Sequence, residues 1–402
     1  MTSALQAEPA CPGTGPAAES ATAPPRRLRA ERRSFDSIDP ATWGRLAGAN
    51  PWATPFSSWG FHRAWWDAYG ETAHDQTVVV ADGDAGPAAE PVAIVPLMHR
   101  HQVEPTDPER HTTMRHASGA ELTPVEPHAK AVFFGASYHA DYATVLTALE
   151  DLTAVSDALV AHLAAREPAG ETHPMPWDVV DLRRLRCGDP AGDALAAAFG
   201  RREMAEGWTL NVEREDVCPV VTLPEGADLD GYLATLDKKA RHEIRRKVRR
   251  AASAGEIALE DSADPVADLE AFIELHQRRW GDDGLFKPGP GGDAGRVFFR
   301  RLFELLGVDG GVGLAFLRVG DRRVAAGIHL EVEDGFLYYN AGVDPDAREL
   351  SPGVVMVAMY VERALTAGKR RLDFLRGHES YKYEWGAVDE PIQRLLVRRR
   401  DG

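Results

Sequence analysis

The chain has 402 residues, more than a usual single core holds, so two domains are the expectation. Hydrophobic residues make up 44% and charged residues 27%, a globular balance, and no apolar run approaches the roughly 18 residues a membrane-spanning helix needs. A net charge of -16 argues against a nucleic-acid-binding surface over the whole molecule, and the spacing of Cys11, Cys187 and Cys218 gives neither a disulfide framework nor a zinc site.

Residues 1–33 are rich in Ala, Pro, Ser and Glu and end in Arg26, Arg27, Arg29, Arg32 and Arg33, which reads as a disordered, solvated tail. They lack the charged-then-apolar pattern of a secretory signal, and the expectation is a cytoplasmic protein. A helix with a Ser N-cap and an aromatic face is expected over 56–69, around Trp65 and Trp66. Strands follow at 77–81 and 91–97, then an irregular loop at 102–128 and a strand at 131–135. A helix over 140–165 and a strand at 177–182 close the first half. The division is placed at 214/215.

In the second half, 232–252 reads as one amphipathic helix. Leu233, Leu236, Ala240, Ile244, Val248 and Ala251 form its apolar stripe, and Lys238, Lys239, Arg241, Arg245, Arg246, Lys247, Arg249 and Arg250 its basic face. A helix at 268–280 precedes a Gly-rich loop at 281–295 and a helix at 297–306. Strands at 313–319, 323–332 and 336–342 form a meander with turns at Gly320-Asp321 and Asp334-Gly335. A helix at 353–367 then leads to a strand at 372–375, parallel to 336–342, and a last strand at 392–397. The order strand–loop–helix–strand recurs in both halves, which suggests a degenerate duplication.

Two segments carry chemistry. Leu350-Ser351-Pro352-Gly353-Val354-Val355 opens a helix, where unpaired N–H groups and the helix dipole suit phosphate oxygens. Asp373, Arg376, His378, Glu379, Tyr381 and Lys382 lie within ten residues just after a strand. Together they suggest a phosphate-bearing cofactor beside proton-handling side chains.

These pieces resemble the GNAT acyltransferases, in particular the branch associated with bacterial cellulose biosynthesis, which is similar to the Fem-type aminoacyltransferases. The matching residues are Ser57 with Trp65-Trp66, Leu236 to Arg241 with Ile244-Arg245-Arg246, His276 with Arg279-Trp280, Leu350 to Gly353, and Asp373 to Gly377 with Tyr381-Lys382. The resemblance implies an α/β (α+β) chain of tandem GNAT-like domains, each a mixed, mostly antiparallel sheet flanked by helices. The 34–214 domain is the degenerate one and 215–402 carries the chemistry. It implies transfer of an acyl group, acetyl above all, from acyl-CoA to an amine or hydroxyl, with no metal. One departure stands out: common GNATs carry a Gln/Arg-x-x-Gly-x-Gly/Ala loop, and here Pro352 removes a donor from it.

On this reading the cofactor is held by Ser351, Gly353, Val354 and Val355, with Ala341, Gly342 and Val343 supplying strand backbone toward the oxyanion. Tyr381 is the general acid and Asp373 an orienting carboxylate. Trp280, Arg376, Lys382 and Arg245 are the candidates for the acceptor, a small molecule, glycan or peptide of anionic character, and the 281–295 loop is read as its lid. Each has a plainer alternative, a helix cap, a core aromatic or a solvated charge. Aminoacyl transfer from charged tRNA, with RNA on the basic helix, is the runner-up function. A scaffold that kept the fold and lost the chemistry is a third.

Overall fold

A computed structural model describes residues 27–399 apart from 87–88, 101–121, 127–128, 166, 168, 172–175 and 308–309. The first half runs β1 (Leu28–Arg32), α1 (Pro40–Gly48), α2 (Trp59–Tyr69), β2 (Ala73–Asp75), β3 (Val78–Asp82), β4 (Pro91–Val95) and β5 (Leu97–Arg100). It continues with β6 (Ala131–Phe134), β7 (Leu146–Thr147), α3 (Leu152–Ala164), β8 (Val179–Arg186), α4 (Pro190–Gly200), α5 (Glu203–Glu206) and β9 (Trp208–Thr222). The second half runs α6 (Leu229–Thr235), α7 (Lys238–Ala254), β10 (Ile257–Asp261), α8 (Leu269–Trp280), α9 (Pro290–Leu306), β11 (Val312–Val319), β12 (Arg322–Val332) and β13 (Gly335–Val343). It ends with α10 (Pro352–Thr366), β14 (Arg371–Asp373), α11 (Ser380–Tyr383) and β15 (Val388–Arg399).

Among the described residues, one 11-stranded sheet runs through both halves in the order β10-β11-β12-β13-β14-β9-β15-β8-β6-β5-β2, and β1-β3-β4-β7 form a second sheet. The expected duplication is visible in the pairing. β6 and β8 are parallel around α3, and β13 and β14 are parallel around α10. The last strand of each half is exchanged. β9 pairs with β14, while β15 pairs with β8 and also runs along β9 over twelve paired positions. The 214/215 division falls inside β9.

The three largest cores among the described residues follow from this layout. One packs α2, α8 and α9 against one face of the β11–β13 meander, a second packs α7 and α10 against the other, and a third lies under α3 and α4.

Several expectations are corrected. Residues 28–32 are strand β1, paired to β3, and Arg32 is 3% exposed, so the arginine-rich end of the expected tail is ordered sheet. The helix over 140–165 begins only at Leu152, because 140–147 is Ala-Asp-Tyr-Ala-Thr-Val-Leu-Thr, rich in β-branched residues, and includes β7. The helix over 232–252 is two, broken where the Asp237 side chain caps α7 by accepting from Lys239 and Ala240 N–H. The last helix before the meander starts at Pro290, not 297, with Pro in its first turn. Cys218 is a free buried thiol. Most of the 102–128 loop and the tail before residue 27 lie outside the described residues. No described helix is long and apolar enough to cross a membrane.

Candidate active site

The parallel pairing of β13 with β14 lasts only from Gly335↔Arg371 to Leu337↔Asp373. Beyond it the strands part. β14 turns toward β9, where Phe374 N–H donates to Pro219 O and Gly377 N–H to Val217 O. β13 continues to Val343 with no strand on that side among the described residues. Within the gap β13 bulges: Tyr338 faces His329 and Asn340 faces Ile328, so Tyr339 is an extra residue. A bulge re-aims side chains and frees backbone groups from the ladder.

At the far end of that free edge, β13 meets the start of α10. Ser351 sits in the left-handed region (φ 53°), and its carbonyl accepts from both Val354 and Val355 N–H. Of the three N–H groups expected to cradle phosphate, only that of Gly353 is left uncommitted to Ser351, which corrects the roles given to Val354 and Val355. Gly353 is exposed, and a Cβ there would meet only Val343 Cγ1, at 4.0 Å. Arg250, near the end of α7, donates to the Ser351 hydroxyl at 2.6 Å. A glycine face, a helix N-terminus and a guanidinium thus converge, a fit for a phosphate group.

Tyr381 lies in α11, its ring edge-on to Phe374 at 5.9 Å, which in turn meets Tyr338. Burial raises its phenol well above the usual value, so it stays protonated at neutral pH. No hydrogen bond to its hydroxyl occurs among the described residues. Asp373 is 2% exposed and accepts from Tyr142 Oη and from Leu375 N–H, both at 2.7 Å. Burial raises its carboxyl to about 6 against those hydrogen bonds.

The other candidates divide. Trp280 Nε1 donates to Ala341 O at 3.4 Å, with Arg279 stacked on its ring, so Trp280 borders the free edge of β13. Gly342 serves α8: a Cβ would stand 2.4 Å from His276 N. Lys382 is corrected. It is 2% exposed, and its ammonium donates to Leu375, Arg376 and Gly377 carbonyls at 2.9–3.1 Å, clamping the 375–377 turn rather than facing a ligand. Arg245 pairs with Asp230 at 2.8 Å and ties α7 to α6, and no contact brings it to the gap. The loop expected over 281–295 is shorter, 281–289, and is anchored by Phe286 at 1% exposure.

Sequence reading missed what the first half contributes. His139 Nε2 meets Tyr69 Oη at 2.8 Å, and Tyr339 Oη donates to His139 O at 2.9 Å. Asp141 lies 3.1 Å from Arg376. The signal was present: Asp181-Leu182-Arg183-Arg184 and Asp373-Phe374-Leu375-Arg376 share a pattern, and the two aspartates hold the same register, opposite Phe133 and Leu337.

The halves differ at the equivalent gap. Between β6 and β8 the chain's own 140–146 segment enters, with Ala143 N–H donating to Arg184 O at 3.0 Å and Ala143 bridging Leu185 in parallel. Asp141 was expected at a helix start in this half; it is instead an interfacial partner of Arg376. Glu150 and Asp151 stand just before α3.

In sequence, residues 238–383 match the family described as Acetyltransferase (GNAT) domain. A comparison with curated proteins finds no match. Among solved structures the fold is similar to FemX, with a TM-score of 0.54, 11% identity, and 89% of this chain and 96% of that chain covered. A fainter likeness (TM-score 0.44, 10% identity, 94% of this chain and 100% of that chain) is to a tandem GNAT protein from the clavulanic acid biosynthesis pathway. Residues 238–383 are thus similar to the GNAT acetyltransferase domain, within a fold similar to that of FemX.

Proposed function

We propose that the protein transfers an acyl group, acetyl above all, from acyl-CoA to an amine or hydroxyl acceptor by direct attack, using only the gap of its second half. The observation that carries this reading is the asymmetry of the two gaps: the first is filled by residues 140–146, while β13 keeps a free edge leading to Gly353. Gly353 N–H, the α10 dipole and Arg250 would receive the cofactor's phosphates, and backbone of 341–343 would flank the acyl group.

The thioester supplies an electrophilic carbonyl and a thiolate leaving group. The acceptor's nitrogen or oxygen bonds to that carbonyl carbon, and the carbon–sulfur bond breaks. Tyr381, protonated and without a hydrogen-bond partner among the described residues, gives its proton to the departing sulfur, while the acceptor's N–H or O–H proton leaves to water and water restores the phenol. Asp373 holds Tyr142 and the Leu375 turn in place with both oxygens engaged. Titration calorimetry of the full chain with acetyl-CoA tests the reading. One binding site per chain is the expected result, and no binding, or two sites, defeats it.

Aminoacyl transfer from charged tRNA is the second reading. It draws on Lys238, Lys239 and Arg249, basic residues of α7 with no ion pair among the described residues. An RNA gel shift that survives 0.15 M salt would favour it, since exposed charge alone is screened there.

A further inference from the structure

Between the halves lies a set of buried charges whose pairing is incomplete. Arg376 follows Leu375, a non-glycine residue at φ 57°, a conformation that L side chains rarely adopt. The Asp373 carboxylate and the Lys382 clamp fix that turn. It delivers a guanidinium only 9% exposed, whose charge acts on His139, Arg184, Asp216, Cys218 and Tyr339. Its Nε is 3.1 Å from Asp141 Oδ1 but off the line of a hydrogen bond, and its Nη1 is buried with no acceptor among the described residues.

The other charges leave a matching surplus. Arg184 is answered by Glu215, through an ion pair and through its own N–H, which donates to Glu215 Oε2 at 2.8 Å. Asp141 answers Arg376. Among the described residues Asp216, 3% exposed, makes no ion pair, and its Oδ1 accepts only the adjacent Val217 N–H at 2.8 Å. Arg376 Nη1 is thus a buried donor without an acceptor among the described residues, Asp216 a buried carboxyl on which its charge acts, and Tyr339 of the β13 bulge feels the same charge.

We propose that the acceptor is an amine that also bears a carboxylate, as an amino acid or a peptide end does. Arg376 Nη1 receives the carboxylate, and Asp216 holds the amine. This rests on the acyltransfer reading above and names its acceptor class. A guanidinium fork matches a carboxylate in shape and charge, and an unpaired buried donor is costly until such a group arrives. Arg376 is then a specificity-determining residue. The side chains are buried, so entry requires Asp141 to give way at Arg376.

The test is titration calorimetry of the full chain with a panel of L-amino acids and dipeptides, each beside its C-terminal amide, with and without acetyl-CoA. The acid forms should bind roughly tenfold or more tighter than the amides, the size expected for a charge-assisted hydrogen bond. Arg376→Gln should erase that difference while acetyl-CoA affinity stays near wild type. Asp216→Asn should weaken acid and amide alike. Equal affinity for acid and amide in the wild-type protein, or binding of neither, overturns the proposal without any variant having to fold. A preference for acids without acetyl-CoA binding would sink the donor reading and leave this one standing. Acetyl-CoA binding without the preference would do the reverse.

Discussion

Tyr381 and Asp373 lie eight residues apart, and burial raises the pKa of each. For the phenol it preserves a proton that can be given to a thiolate. For the carboxyl it lifts the pKa to about 6, yet both oxygens already accept hydrogen bonds, so the group orients rather than shuttles. Tyr381→Phe should lower kcat by about 10²–10⁴, the usual cost of losing a general acid, with acetyl-CoA affinity unchanged. Steady-state kinetics beside calorimetry would show it, and full kcat in the variant would return the hydroxyl to a structural role. Tyr383, two residues on, is a poorer substitute, because its hydroxyl already donates to Asp389 at 2.7 Å. Arg376 and Lys382 look alike in the sequence and differ in the fold. Nothing local says that one ammonium will serve three carbonyls while a guanidinium six residues earlier keeps a free N–H.

The start of α10 is the element on which cofactor binding turns. Gly353→Val places a branched side chain where only Val343 lies nearby, so the fold should tolerate it while close approach of a phosphate is blocked. Acetyl-CoA affinity should fall by tenfold or more, roughly the loss of one charge-assisted contact, at an unchanged melting temperature. Arg250→Ala should weaken binding in the same direction and make it less salt-dependent, because its guanidinium stands at Ser351. Unchanged affinity in both variants would remove α10 from the site. This element was legible in the sequence, as were the β11–β13 meander with its Gly-Asp and Asp-Gly turns and the parallel return to β14, because each rests on local turn chemistry or a clear period. The sequence pattern announces neither α1, α4, β10 and α11 nor β9 as a strand. In β9, Glu213-Arg214-Glu215-Asp216 reads as a polar loop; it becomes intelligible as buried strand only once Arg184, Arg376 and Arg394 are beside it. The 140–146 segment reads as helix in the sequence because its burial comes from filling a gap in the sheet, which no periodicity announces.

At the scale of the whole molecule, exchange of β9 and β15 makes each half depend on the other for a neighbour of its last parallel strand. Such a sheet should unfold as one unit, so groups buried anywhere in it act on one stability. Burial depresses His62, His139 and His329 to about 3 and His162 to about 4. An unfolded histidine titrates near 6.5, so below that pH the unfolded chain binds protons that the folded chain refuses, and stability falls with acidification. Each histidine would cost about 2 kcal/mol at pH 5, from roughly 1.4 kcal/mol per pH unit. Asp373 and Asp216 act with the opposite sign. Their folded values near 6 lie above the unfolded carboxylate range, so they gain stability as pH drops below 6, by about 1.4 kcal/mol each at pH 5. Four histidines outweigh two carboxylates, and the net loss between pH 7 and pH 5 should be several kcal/mol. Urea unfolding at the two pH values should show a single transition whose midpoint falls on acidification. His329→Gln, which removes one of the four groups, should flatten that fall by about a quarter to a half of the net effect. A midpoint that held steady from pH 7 to pH 5 would mean that these imidazoles take up protons in the folded protein, and that the cores around them are open to water.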